Sequence, residues 1–151
     1  MSDVEFREAR AADVPAIVAM LADDPLGAAR EAPETPGPYL AAFERIAGDP
    51  NQRLVVVERD GRVIGTPQLT IIPGLSRQGA SRALIEAVRV HADERGSGLG
   101  SRLITWAIDE ARREGCRMVQ LTSDASRTDA HRFYSRLGFT ASHVGFKLAL
   151  G

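Results

Sequence analysis

The segment RLVVVERDGRVIG (residues 53–65) sets the strongest constraint on the fold, because it joins two apolar runs through Asp60-Gly61. That dipeptide supplies the positive φ angles of a tight two-residue turn, so the flanking runs read as an antiparallel hairpin. A chain built around such a hairpin is not an all-parallel doubly wound sheet. The first run is the second strand of the chain, after an alternating one at Val4–Ala9, and the second run extends to Ile72, before Pro73. ASRALIEAVRV (80–90) reads as strand four, RMVQLT (117–122) as strand five and SHVGFKLAL (142–150) as a last strand.

Helical spacing fills the gaps. Val14, Ile17, Val18 and Leu21 recur at i, i+3, i+4, i+7, with Pro15 tolerated in the first turn and Asp13 placed to cap it. Tyr39, Phe43 and Ile46 mark a shorter helix ending near Gly48. Leu99, Leu103, Trp106, Ala107 and Ala111 form a long stripe up to Gly115, and Ala130, Phe133, Tyr134 and Leu137 another, stopped by Gly138. Each glycine suits the position just past a helix end. Residues 22–38, rich in proline and acids, read as a long, partly mobile loop. The order β-α-α-β-β-β-α-β-α-β predicts one α+β, or mixed α/β, domain over residues 1–151.

Charge and composition remove several function classes. The 151 residues carry 19 basic and 20 acidic side chains, interspersed, for a net charge of -1, so no global field draws nucleic acid or an anionic membrane. RGSGLGSR (95–102) is too short for a basic track with stacking aromatics. No apolar run approaches a membrane span, the start MSDVEFREAR lacks the features of a secretion signal, and Cys116 is a single cysteine. A cytoplasmic protein is expected. His91, His131 and His143 have no metal-ligand spacing, so no metal is expected. Cys116, at a helix-to-strand turn, reads as a packing residue.

The stretch ERGSGLGSRL (94–103) brings three glycines to the start of the longest helix. Bare amides at the positive end of a helix dipole make an anion cradle, though a glycine-rich turn with no ligand fits the same pattern. The nucleoside-triphosphate loop needs Gly-Lys-Ser/Thr, where this chain has Leu99-Gly100-Ser101. The dinucleotide fingerprint fails because Ser101 stands at its sixth position.

VRVHADERGSGLGSRL (88–103) resembles the signature of the GNAT superfamily of N-acetyltransferases, a strand followed by Arg/Gln-x-x-Gly-x-Gly/Ala, matched by Arg95, Gly98 and Gly100. FREARAADVPAIVAML resembles the opening strand and helix of that family, VVVERDGRVIG its central hairpin, and AHRFYSRLGF its late helix and Tyr-x-x-x-Gly-Phe corner. Ala92 departs from a frequent proline. The resemblance implies a mostly antiparallel twisted sheet of six to seven strands, splayed between strands four and five, with about four flanking helices. It implies acetyl-CoA as co-substrate, its pyrophosphate held by backbone N–H groups of Gly96, Ser97, Gly98, Leu99, Gly100 and Ser101. Strand four would carry a bulge, and pantetheine would bond to Val88, Arg89 and Val90, with Arg95 and Arg127 counted among the coenzyme-binding residues.

Acetyl transfer to a primary amine needs a deprotonated nucleophile, donors for the developing oxyanion and a proton for the departing thiolate. Glu86 lies mid-strand where an ordinary half-buried strand would be apolar. It is either a partly desolvated base with a raised pKa or, if a bulge reverses the alternation, an ion-pair partner of Arg82 or Arg89. By resemblance, Glu86 takes the proton, the Val88 amide receives the acetyl carbonyl and Tyr134 protonates the thiolate, by direct attack in a ternary complex. Relatives that modify protein N-termini have a glutamate where this chain has Thr122 and an asparagine where it has Arg127, so their acceptor does not carry over. Asp23, Asp24, Glu31 and Glu34 form either an acidic lid for a cationic amine or a solvated linker. Arg77 and Arg82 are either exposed charges or receivers of an acceptor carboxylate or phosphate. The alternative from another class is a non-catalytic acyl-CoA-binding sensor or regulatory module. Family habit implies a homodimer.

Overall fold

A computed structural model describes residues 3–151. Its order is β1 (Glu5–Glu8), α1 (Val14–Leu21), α2 (Pro25–Arg30), α3 (Gly37–Ala47), β2 (Gln52–Arg59), β3 (Arg62–Ile72), α4 (Ser76–Gly79), β4 (Arg82–Val90), α5 (Leu99–Arg113), β5 (Met118–Leu121) and α6 (Thr128–Arg136), with single 3-10 turns at Ala11–Asp13 and Ala92–Glu94. Two units are compact, residues 1–120 and residues 121–151.

The first unit is built on the hairpin. Asp60 and Gly61 hold φ of 52° and 78°, so β2 and β3 pair antiparallel, β1 adds outside β2 and β4 outside β3. The strand order is β1-β2-β3-β4-β5, and the Arg117 N–H donates to the Ser81 carbonyl (2.9 Å) just before β5 and β4 begin. On one side of the sheet Val57 and Ile64 pack with Leu99 and Leu103 of α5, joined by Phe6, Val88 and Val90. A second cluster joins Val56 and Ala9 to Ile17 of α1, with Phe43 of α3 packed against it. The amphipathic stripe of α5 is buried as the spacing predicts: Leu103 and Ala107 are fully sealed from solvent.

Both glycine stops act as predicted. At α5, Gly115 (φ 77°) donates to the Arg112 carbonyl and Cys116 to that of Ala111. At α6, Gly138 (φ 99°) donates to the Ser135 carbonyl and Phe139 to that of Tyr134. This paired pattern satisfies the last carbonyls of each helix.

Several expectations need correction. Among the described residues the sheet has five strands, not six to seven, because residues 142–150 form no strand despite their alternation. Six helices stand where about four are expected, the short α2 and α4 being the additions. Residues 22–38 are not a structureless loop but hold α2: Asp24 Oδ1 accepts from the Gly27 amide (2.5 Å), and Tyr39 Oη links the Ala32 amide and Glu31. Gly27 makes this possible, since a Cβ there would lie 1.8 Å from the Leu21 carbonyl oxygen. Asp13, finally, does not cap α1 with its side chain. Its carboxylate reaches back to the Arg10 amide (2.7 Å) and receives both terminal nitrogens of Arg7 (2.7 and 2.9 Å), whose Nε binds Glu58. The Arg7 hydrogen bonds hold the Asp13 carboxyl below its ordinary range, against the opposing effect of burial.

Candidate active site

The chemistry predicted for β4 begins with a defect in its ladder. Gln68 faces Glu86 but Thr66 faces Arg89, so β4 carries one residue more than β3 between these pairs. The odd residue of β3 is Pro67, fully buried in a central strand, where its missing N–H is tolerated because the ladder is already interrupted. Opposite it, Ala87 holds φ of 51°, a left-handed angle costly for a residue with a side chain. This is the bulge expected for strand four, and Pro67 is the sequence signal for it that a reading by periodicity passes over.

The bulge decides the surroundings of Glu86. Ala83 and Ile85 before it are buried, and Val88 and Val90 after it pack on the α5 cluster, whereas Glu86 and Ala87 are exposed. The half-buried position inferred from simple alternation is therefore corrected, and the desolvation expected there with it. Of the arginines weighed as its partners, Arg89 reaches Asp24. The Nε of Arg89 lies 3.3 Å from Asp24 Oδ2, and its Nη1 donates to the Val88 carbonyl (2.9 Å).

Beyond Val90 the chain turns into the glycine stretch, which is anchored from three directions. His91 N–H donates to Ile64 O (2.8 Å), and its Nδ1 accepts from the Asp93 amide (3.1 Å). Two arginines of the hairpin hold the turn, Arg59 by Glu94 and Arg62 by Asp93 (2.9 Å). Arg95 reaches Asp23, at 3.3 Å from both its carboxylate and its carbonyl. Asp23 and Asp24, weighed in the sequence as lid or linker, are thus ion-pair partners of Arg95 and Arg89. These pairs are not legible in the sequence because the partners lie more than sixty residues apart.

The stretch itself is open. Gly96 and Gly98 hold φ of 82° and 85°, and a Cβ at either would meet nothing within 4 Å. These angles demand glycine, and the space above them fits a bound group. Gly98 is the N-cap of α5, no side chain caps the helix, and its first turn carries no acid. The amides of Leu99, Gly100 and Ser101 therefore lack an intrahelical acceptor and face an uncompensated dipole end. Leu99 is buried and pins this turn to the core. Ser97 differs from expectation: its amide and Oγ both donate to the Glu94 carbonyl (3.2 and 2.6 Å), so its N–H closes the turn.

Tyr134 and Arg127 belong to the second unit. Tyr134 is half-buried on α6, its ring edge-on to Phe133 and Phe139 with centroids 5.2 and 5.9 Å apart. Arg127 is the exposed residue preceding α6, its amide donating to Asp124 O (3.0 Å). Two hydrogen bonds from Ser126, side chain first and then backbone, hold the Asp124 carboxyl below its usual range. In the first unit, burial pushes the Cys116 thiol up, away from nucleophilic behaviour. A separate cleft of about 330 Å³, between α3 and β2, is lined by Phe43, Ile46, Leu54 and Arg53 among others and by none of the predicted site residues. Among the described residues, no cluster of His, Cys, Asp or Glu could hold a metal, and no helix is long and apolar enough to cross a membrane.

Strand β4, with its bulge, thus runs into an uncapped, glycine-lined helix start at Gly98. Residues 15–139 match the model of the Acetyltransferase (GNAT) family. The chain belongs to this family of acetyltransferases. It is 37% identical over 102 residues to the aminoalkylphosphonate N-acetyltransferase of Salmonella typhimurium, an alignment spanning 68% of this chain and 66% of that enzyme. It is 34% identical over 131 residues to the glucosamine 6-phosphate N-acetyltransferase of Trypanosoma brucei brucei, 83% of this chain and 84% of that one. A solved structure described as a transcriptional regulator from Bacillus halodurans C-125 superposes with a TM-score of 0.94 at 45% identity, covering 98% of this chain and 100% of its own.

Proposed function

We propose that this GNAT-family chain is an acetyl-CoA-dependent N-acetyltransferase whose acceptor is a small primary amine bearing a phosphate or phosphonate. The observation that carries the reading is the continuity of the β4 bulge at Ala87 with the bare α5 start at Gly98. The first interrupts a ladder beside the reacting carbon; the second presents amides to a diphosphate. Acetyl-CoA, when bound, supplies an activated thioester and a pyrophosphate handle. The amides of Gly96, Gly98, Leu99, Gly100 and Ser101 hold that handle, and β4 binds the pantetheine arm along Val88, Arg89 and Val90. Arg95 and Arg127 add positive charge for the coenzyme.

Glu86 accepts the proton of the attacking ammonium, directly or through a water, which suits its exposed position. The Val88 N–H donates to the acetyl oxygen as negative charge develops there. The amine nitrogen bonds to the acetyl carbon, the carbon–sulfur bond breaks, the Tyr134 phenol gives its proton to sulfur, and the second proton lost by the nitrogen as the amide forms restores the phenol. Two named relatives act on amines that carry a phosphorus oxyanion. In this chain Arg77 and Arg82, at the β3–β4 turn, have no ion-pair partner among the described residues, and Arg77 and Gln78 sit at φ of 55° and 62° in a turn held out of ordinary geometry. These arginines are suited to the acceptor's anion.

Thiol release from acetyl-CoA with a panel of aminoalkylphosphonates, amino sugar phosphates and uncharged amines tests the reading. Turnover confined to the anionic amines, lost on Arg82→Ala, is the expected result. Glu86→Gln is expected to lower kcat by about 10²-fold. Tyr134→Phe should slow turnover more than it weakens coenzyme binding. A second reading, a coenzyme-binding regulator without turnover, is favoured by the description of the 45% identical structure as a transcriptional regulator. Calorimetric CoA binding with no thiol release across the panel would establish it.

A further inference from the structure

Gly65 stands buried inside β3, where a glycine weakens a strand, and its φ gives no reason for it: the angle lies outside the left-handed region that Gly61, Gly96 and Gly98 occupy. What requires it is space. A Cβ on Gly65 would lie 3.3 Å from Leu99 Cδ2, 3.4 Å from the Arg89 carbonyl oxygen and 3.5 Å from Leu103 Cδ1. The two shortest of these approaches come from different halves of the candidate coenzyme site. Leu99 is the first residue of α5, directly after the Gly98 N-cap, so its buried side chain sets the depth at which the free amides of the helix start sit on the sheet. Arg89 lies on β4 beyond the bulge, in the stretch assigned to the pantetheine arm.

β3 itself has little room to yield at this point. Gly65 pairs with Val57 of β2 and Val90 of β4, and the β2 ladder shifts register just before it, the β4 ladder just after it. Both of its neighbours are tied down. The Ile64 carbonyl accepts from the His91 amide (2.8 Å), and the buried Thr66 hydroxyl donates to the Val55 carbonyl (2.7 Å). A side chain at Gly65 would therefore displace Leu99 or β4 and not β3. We propose that Gly65 is a positioning residue for the coenzyme: the missing side chain sets the separation between β4 and the start of α5, and so the fit of a ligand that touches both. Resting on the coenzyme reading above, this role gives Gly65 no contact with the ligand or the reacting atoms.

Calorimetric titration of CoA into the full chain reads this role directly. Gly65→Ala should raise the CoA dissociation constant about fivefold and Gly65→Val about 50-fold, with KM for acetyl-CoA rising in step and kcat at saturating coenzyme changing by less than about threefold. Shortening the side chain on the helix returns the space, so Gly65→Ala combined with Leu99→Val should bind CoA within about twofold of Leu99→Val alone. Val56→Ala, which removes bulk from the second core cluster, should lower the melting temperature and leave the CoA dissociation constant unchanged. Circular dichroism shows which variants fold; should Gly65→Val not fold, Gly65→Ala and its double variant decide. Gly65 variants that melt lower yet bind CoA as wild type does would overturn the proposal, as would an affinity loss that Leu99→Val leaves in place. A wild-type chain that binds no CoA would defeat the coenzyme reading and this role with it, whereas wild-type binding beside unimpaired Gly65 variants defeats the role alone.

Discussion

The two units of this chain are held by different physics. Among the described residues every buried side chain lies in the first, between Ala9 and Ala111, whereas none from Leu121 to the end is buried. The first unit is a sheet sealed on both faces, and its order follows from apolar burial with charged staples at the margins. The second is organised by short-range devices: the Asp124 carboxylate bound by Ser126, the glycine-terminated α6 and the Arg132–Asp129 pair, followed by a row of exposed apolar residues. Core packing thus resides in the first unit, and the second contributes exposed side chains.

The contrast is broken most directly by truncating one leucine in each unit. Leu103→Ala, at a fully buried position, is expected to cost about 3–5 kcal/mol in urea unfolding. Leu148→Ala, at an exposed position, should fall within about 0.5 kcal/mol of wild type. Equal losses at the two sites would erase the distinction.

The staples come next. Asp13→Asn leaves Arg7 half-buried without its main partner and should cost about 3 kcal/mol. Because the folded Asp13 pKa is depressed, its contribution is fully present above the unfolded carboxylate pKa of about 3.9 and disappears as pH falls through the lower folded value. Stability followed from about pH 6 down to about pH 2 should therefore decline less in Asp13→Asn than in wild type. A parallel decline would remove Asp13 from the account.

Gly98→Ala tests an exposed position of the first unit that burial does not control. Its open surroundings permit the methyl group, and the left-handed angle opposes it, so a loss of about 1–2 kcal/mol is expected by thermal melting. Calorimetry should show a larger proportional loss in CoA affinity if the amides need this geometry. The smallest effect belongs to the surface of α6: Asp129→Asn removes a pair with both side chains exposed and should shift stability by no more than about 0.5 kcal/mol.

Legibility in the sequence follows the range of the interactions. The hairpin turn, the buried stripe of α5 and the two glycine stops are legible because each depends on residues close to one another along the chain. The glycine stretch is legible for the same reason: its left-handed angles at Gly96 and Gly98 are a local demand. What misleads is apparent locality. Asp13 looks like a cap and is a partner of Arg7; residues 22–38 look loose and are ordered by the Gly27 approach; Glu86 looks half-buried until the bulge shifts the alternation of β4.

By itself, then, the order of residues determined most of the elements, their ends and the motif that places the chain among acetyltransferases. Tertiary structure alone decided which arginine each acid meets, where the β4 ladder breaks and which apolar rows find cover. Backbone conformation responds to neighbours along the chain, whereas burial and ion pairing depend on the sheet register, which brings Thr66 opposite Arg89 and is fixed only when all strands have met.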